Sequence, residues 1–182
     1  MAGGKAGLSI GRQPHAKRTG KQPVALFVGR FQPFHRGHLS ALKWIAKRSG
    51  KVLVVIGSAQ EKKTGKNPFS ARERLSMLRA VLAKENLAGK CRVFLLQDVP
   101  NDYEWVSYLD AHVPRYDVCF SNNALVLKLM RRAGKQVARV PLVARKKYRG
   151  TLVRERMRRG LELKSRVPEE VEKKIAEGKK SA

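Results

Sequence analysis

The chain has 182 residues, 42% of them apolar, which suits a single domain with its own core. No apolar run reaches the ~20 residues a membrane-spanning helix needs, and the N-terminus lacks the apolar core of a secretory signal. Forty Lys and Arg against 14 Asp and Glu give a formal charge of +26, a surface that attracts polyanions of any kind.

In chain order, residues 1–22 form a Gly- and Lys-rich arm without periodicity, read as disordered. The apolar run Val24–Val28 predicts a buried strand, and His38–Ser49 a helix. Lys51–Ile56 reads as a second strand ended by Gly57, then Ser70–Ala83 as a helix. A strand over Arg92–Leu96, a helix over Glu104–His112 and a short strand over Val118–Phe120 follow. Ala124–Arg132 reads as a helix closed by Gly134 at its C-cap, and Gln136–Leu142 as a strand. Thr151–Arg159 and Glu169–Ala176 complete the set as helices, leaving residues 178–182 as a frayed tail. Continuous apolar strands alternating with helices predict an α/β fold with a parallel sheet covered on both faces. Ligands bind such sheets beyond the carboxyl ends of the strands. Here those ends carry Gly29-Arg30-Phe31, Gly57-Ser58-Ala59-Gln60, Gln97-Asp98 and Ser121-Asn122-Asn123. Cys91 and Cys119 form no CxxC pair and sit at apolar runs, so both read as small core residues in a reducing compartment.

Several kinds of chemistry are missing. Gly65-Lys66 is followed by Asn67, so there is no Walker A loop; there is no GxGxxG, and no arrangement of Ser, His and Asp suggests a nucleophile. What remains is Gly29–His38, a loop between a strand and a helix that holds His35 and His38 three residues apart. That spacing is close to one helical turn, so both rings can face one ligand, beside backbone N–H groups at the positive end of the helix. The combination makes a phosphate site. Read blandly, the histidines only cap the helix. A phosphate undergoing substitution needs donors aimed at its oxygens, and an attacking group that is already an anion needs no general base. That fits a chain with few acidic residues near its strand ends.

A second constellation is Tyr148–Met157, in which Thr151 is a candidate N-cap and Arg154 falls in the first turn of a basic helix. In Asn67–Arg74, Ser70 and Glu73 form a capping box, with Lys66 upstream as a phosphate contact. Trp105, at the start of a helix beyond the strand end at Asp98, can stack on a flat ring or pack in the core. Basic residues are spread along the chain with no compact patch interleaved with aromatics, so charge supports weak, non-specific polyanion binding more than specific nucleic-acid recognition.

Together these residues resemble the HxGH nucleotidyltransferases, through His35-Arg36-Gly37-His38, and more narrowly the archaeal-type nicotinamide-mononucleotide adenylyltransferases. The resemblance runs from Val24 to Ile175, within a domain of residues 23–177. It implies a Rossmann-like fold with a small C-terminal helical extension, and the reaction of ATP with nicotinamide mononucleotide to give NAD and pyrophosphate. It further implies Mg2+, a cytoplasmic enzyme, and a homo-oligomer, a hexamer. By position, Arg30, His35, His38 and Arg154 would hold ATP phosphates and stabilise the transition state. Gly29, Phe31, Gln32, Gly37, Lys66, Asn123, Tyr148, Gly150 and Thr151 would complete the ATP site. Trp105 would stack on the nicotinamide ring, in a pocket shaped by Gly57, Ser58, Phe69, Asp98 and Asp102. The chain departs from the family pattern at Lys66-Asn67 (often Arg-Asp), at Asp102 (usually Asn) and at Arg149 (usually Ser). Rival expectations are an adenylyl- or cytidylyltransferase with another acceptor, such as phosphopantetheine, and a non-enzymatic nucleic-acid-binding protein.

Overall fold

In the computed structural model, residues 22–141 and 147–180 are described, the last two by backbone alone. The expected arm, residues 1–22, lies outside the described residues except for its last. Five parallel strands form one sheet: β1 (Val24–Gly29), β2 (Lys51–Ile56), β3 (Cys91–Leu95), β4 (Val118–Phe120) and β5 (Val137–Ala138), in the order β3-β2-β1-β4-β5. The helices are α1 (Arg36–Ala46), α2 (Ala71–Lys84), α3 (Trp105–His112), α4 (Ala124–Arg132), α5 (Gly150–Arg158) and α6 (Glu169–Lys180).

The strands alternate their side chains between two cores, as a period of two requires. Ala25, Phe27, Val52, Val54 and Ile56 pack with α1, α2, α5 and α6 on one face. Leu26, Leu53, Val55 and Cys119 pack with α3 and α4 on the other. Both faces are therefore covered, as the continuous apolar strands predicted. Cys119 is buried and Cys91 partly so, both as free thiols, with burial pushing their pKa values up to about 12 and about 11.

The ends of elements moved. α1 begins at Arg36 rather than His38, because the His35 side chain caps it, and it ends at Ala46 rather than Ser49. α2 has its expected box, with Ser70 and Glu73 each accepting from the other's backbone N–H. Past α4, Gly134 takes the left-handed conformation of a helix-ending residue, φ 69°. The strand expected over Gln136–Leu142 shrinks to Val137–Ala138. Its partner β4 offers three residues; beyond them Asn122 Nδ2 donates to the Val140 carbonyl at 3.0 Å, and Pro141 has no N–H for a ladder. Leu142 lies outside the described residues. α6 runs four residues past its expected end at Ala176.

Strand order reverses between β1 and its neighbours β2 and β4. A crevice opens at such a switch point, past the carboxyl ends of the strands.

Candidate active site

Two cavities flank the loop that leaves β1. One, of about 240 Å³, is lined by His35, Gly37, His38, Ser121, Asn122 and Tyr148 among others. The second, of about 420 Å³, is lined by Arg30, Gly57, Ser58, Asp98, Asp102 and Trp105 among others. Val28, Gly29 and Asn123 line both, so the two meet at the strand ends of β1 and β4.

The histidine pair is set by the helix it caps. His35 Nδ1 accepts the His38 backbone N–H at 3.2 Å, and His38 Nδ1 accepts the His35 backbone N–H at 3.3 Å. The rings stack with centroids 3.5 Å apart and 14° between planes. Phe31 meets His38 edge-on at 4.9 Å, and Phe34 lies 5.5 Å from it. An Nδ1 that accepts leaves the imidazole proton on Nε2. Each ring therefore offers the cavity one neutral N–H. Burial keeps the pair neutral: it lowers the His35 pKa to about 4, with Arg154 adding to the effect against the backbone bond that raises it. The His38 pKa is also well below its ordinary value, through burial first and His35 second. The same Nδ1 bonds that cap α1 leave Nε2 of each ring free of that task. Gly37 makes room for it, since a Cβ there would sit 3.0 Å from Tyr148 Cβ and 3.2 Å from the His35 ring.

Arg154 is the fifth residue of α5, two positions further in than a Thr151 cap would put it, and its guanidinium folds back to the helix start. Its Nη1 donates to the Gln32 carbonyl at 2.9 Å and lies 3.1 Å from where a Cβ on Gly150 would be. Burial, Arg30 and Arg158 lower its pKa. The N-cap of α5 is Arg149, not Thr151; no side chain caps it, so the first N–H groups of this helix stay open to an anion. Thr151 is exposed inside the first turn.

On the other side, Trp105 opens α3 half-buried, packing on the second core while lining the larger cavity. The indole is thus part of the core and part of the cavity wall. Asp98 and Asp102 line the same cavity, and Asp98 Oδ2 accepts from Gln60 Nε2 at 3.3 Å. Asn101 does not reach in: its side chain accepts from the Tyr103 N–H and donates to Glu104.

Other expected contacts are not brought together. Gln32 spends its amide on Phe69, donating to its carbonyl at 2.7 Å and accepting its N–H at 3.0 Å. Phe69 and Phe31 are buried in the first core, the Phe31 ring tucked so close that a Cβ on Gly29 would meet it at 2.7 Å. All three side chains build the loop rather than line a cavity. Lys66 is exposed and lines neither cavity. The sequence reading passed over Ser121 and Asn122 as contacts, and it left Arg74, which is 1% exposed, inside the capping-box motif. Its spacing to Met77, Leu78 and Val81 on the buried face of α2 was the available signal.

The donors at the phosphate end are cationic or neutral. Among the described residues no group of three His, Cys, Asp or Glu is placed to hold a metal. Nor is any helix among them long and apolar enough to cross a membrane.

Residues 26–156 match the cytidylyltransferase-like family. A nicotinamide-nucleotide adenylyltransferase of Methanolobus tindarius is 42% identical over 144 residues, 79% of this chain and 82% of that protein. Another, from Pyrococcus furiosus, is 39% identical over 154 residues, 84% of this chain and 82% of its own. Among solved structures, a bifunctional NMN adenylyltransferase/ADP ribose pyrophosphatase from Francisella tularensis superposes with a TM-score of 0.68 at 23% identity. That match covers 80% of this chain but 45% of the longer protein, and it bears on the fold alone. With its histidine pair at the switch point of a parallel sheet, the chain belongs to the cytidylyltransferase-like family and, within it, to the nicotinamide-nucleotide adenylyltransferase family.

Proposed function

We propose that this chain transfers the adenylyl group of ATP to nicotinamide mononucleotide, giving NAD and pyrophosphate. One observation carries the reading: a cavity with two neutral imidazole donors joins, at Gly29 and Asn123, a cavity with an indole and two carboxylates. ATP occupies the first and its α-phosphate lies at the junction. The mononucleotide occupies the second, its cationic pyridine ring against Trp105 and its phosphate at the junction.

A phosphate oxygen of the mononucleotide forms a bond to the α-phosphorus of ATP. The bond from that phosphorus to the bridging oxygen breaks, and pyrophosphate leaves with the electron pair. No proton moves in this step, so the site needs no general base. His35 and His38 donate Nε2–H to α-phosphate oxygens as charge builds there, and Arg30 and Arg154 neutralise the departing pyrophosphate. The open N–H groups of α5 face the same phosphates. Mg2+ would be carried on ATP as part of the substrate, bound by its phosphate oxygens.

The test is pyrophosphate release with ATP and each pyridine mononucleotide, with the dinucleotide identified by mass. A panel including phosphopantetheine separates other acceptors. A cytoplasmic enzyme acting as a homo-oligomer, a hexamer, belongs to the same reading; light scattering checks the assembly. Loss of all turnover with nicotinamide mononucleotide, with salt-resistant preference for one nucleic-acid sequence, would replace this reading with a binding role.

A further inference from the structure

A guanidinium outside both cavities grips two backbone loops that line the larger one, beside the strand end where the two cavities meet. Arg74 is the fourth residue of α2 and almost wholly buried. Its Nη1 donates to the carbonyls of Arg30 at 2.9 Å and Gly57 at 2.8 Å, and its Nη2 to that of Ser58 at 2.9 Å. Its Nε donates to the carbonyl of Ser70 at 3.3 Å. Every acceptor is a neutral backbone oxygen, and Arg74 enters no salt bridge among the described residues. Asp98 acts on it only from a distance, against burial and the Arg30 charge that lower its pKa. A buried cation with no carboxylate in contact is an expensive way to stabilise a core, where an apolar side chain of similar volume does as well or better.

The placement of those carbonyls says what the cation is for. The β1–β2 ladder pairs Gly29 with Ile56, so Arg30 and Gly57 are the first residues beyond it. Nη1 bridges the two strands where their own pairing stops. A trans peptide sets its N–H opposite its carbonyl. Turning the Arg30 and Gly57 carbonyls onto Arg74 therefore turns the N–H groups of Phe31 and Ser58 away from it. Phe31 and Ser58 both hold positive φ, 50° and 49°, a conformation that non-glycine residues keep only when their surroundings impose it. A cation on the carbonyl side also polarises each peptide and strengthens its N–H as a donor. Arg30 and Ser58 line the larger cavity, while Gly29, one residue before Arg30, lines both.

We propose that Arg74 is a positioning residue for adenylyl transfer, locking the Arg30 loop and the Gly57–Ser58 loop in the one relation that brings the two substrates into line. This rests on the reaction proposed above. The Arg30 loop runs on to His35 and His38 in the smaller cavity while Gly57 and Ser58 line the larger, so what suffers without Arg74 is the placement of one substrate against the other.

Arg74→Lys keeps the charge but loses the planar fork that spans two strand ends. Its kcat is expected to fall by about 10²-fold, the scale of a misplacement near 1 Å. Its calorimetric Kd values for ATP and for nicotinamide mononucleotide, each titrated alone, are expected to move by less than about threefold. Arg74→Met, assayed in parallel below its own unfolding transition, is expected to lose kcat at least as far. A folded Arg74→Lys protein with kcat within about twofold of the parent would overturn the proposal. So would a rise in one KM alone with kcat intact, which puts Arg74 in a single subsite, and so would loss of the fold in both variants, which makes it a stability device. Failure of the reaction itself would show in the parent enzyme; failure of this inference shows only in the variants.

Discussion

Acidification is expected to destabilise the protein through His35. Its pKa falls from 6.5 to about 4 in the folded chain, first because burial disfavours the imidazolium. Between those values the unfolded chain binds the proton and the folded chain does not. Stability therefore rises with pH through that window: it is fully present above 6.5 and is lost as pH drops toward 4. From pH 7 to pH 5 the linkage costs about 2 kcal/mol for this one group. His38, depressed in the same direction, adds to it. The test is His35→Asn, because Asn keeps an acceptor at the N-cap of α1 but has nothing to titrate. Urea unfolding at pH 7 and pH 5 is expected to show the parent losing about 2 kcal/mol more than the variant. Parallel pH dependence in the two proteins would refute the argument, since His35 would then titrate alike folded and unfolded.

Other outcomes follow from the same geometry. His38→Ala removes one N–H from the α-phosphate and is expected to lower kcat by about 10²-fold or more in the pyrophosphate assay; unchanged kcat would end that role. With both imidazoles held neutral, kcat of the parent is expected to show no step near pH 6.5 beyond the one that the mononucleotide phosphate brings, with its pKa of about 6; a further step that is lost in His35→Asn would mean a histidine titrating in turnover. Trp105→Ala is expected to raise KM for the mononucleotide more than for ATP, whereas equal effects would make Trp105 a core residue alone. Asp98 and Asp102 face the pyridine cavity, so kcat/KM is expected to favour nicotinamide over nicotinate mononucleotide, whose ring carboxylate meets like charge. Asp102→Asn is expected to narrow that ratio, and a ratio near one in the parent would refute the point.

What the sequence disclosed follows from how local each signal is. The strands were legible because their apolar runs are continuous, and Ser70 with Glu73 because a capping box spans four residues. The start of α1 was misplaced because propensity assigns caps to Ser, Thr, Asp and Asn, and here a histidine takes that place. The pairing of Gln32 with Phe69 crosses 37 residues, so no window could show that the Gln32 amide is taken up by Phe69. Among 40 Lys and Arg, nothing in composition distinguishes Arg74, and only its place on the apolar stripe of α2 betrays that it is inside. Tyr148 and Arg154 were legible as a motif, but their meeting with Gly37 and Gln32 is a fact of the fold.

The division between neutral and charged donors has its own logic. The attacking group is a phosphate monoester, whose second pKa is about 6. An imidazolium beside it could hand its proton to the monoester, and protonating the monoester would blunt the nucleophile. Holding both histidines neutral removes that proton source while keeping their Nε2–H groups as donors. In the proposed reaction the charge that the triphosphate demands comes instead from the guanidinium groups of Arg30 and Arg154. The price is a buried histidine pair that binds protons only when the chain unfolds. The pKa depression that suits the chemistry is thus the one that makes α1 sensitive to acid, and a substitution at His35 that relieves the second should weaken the first.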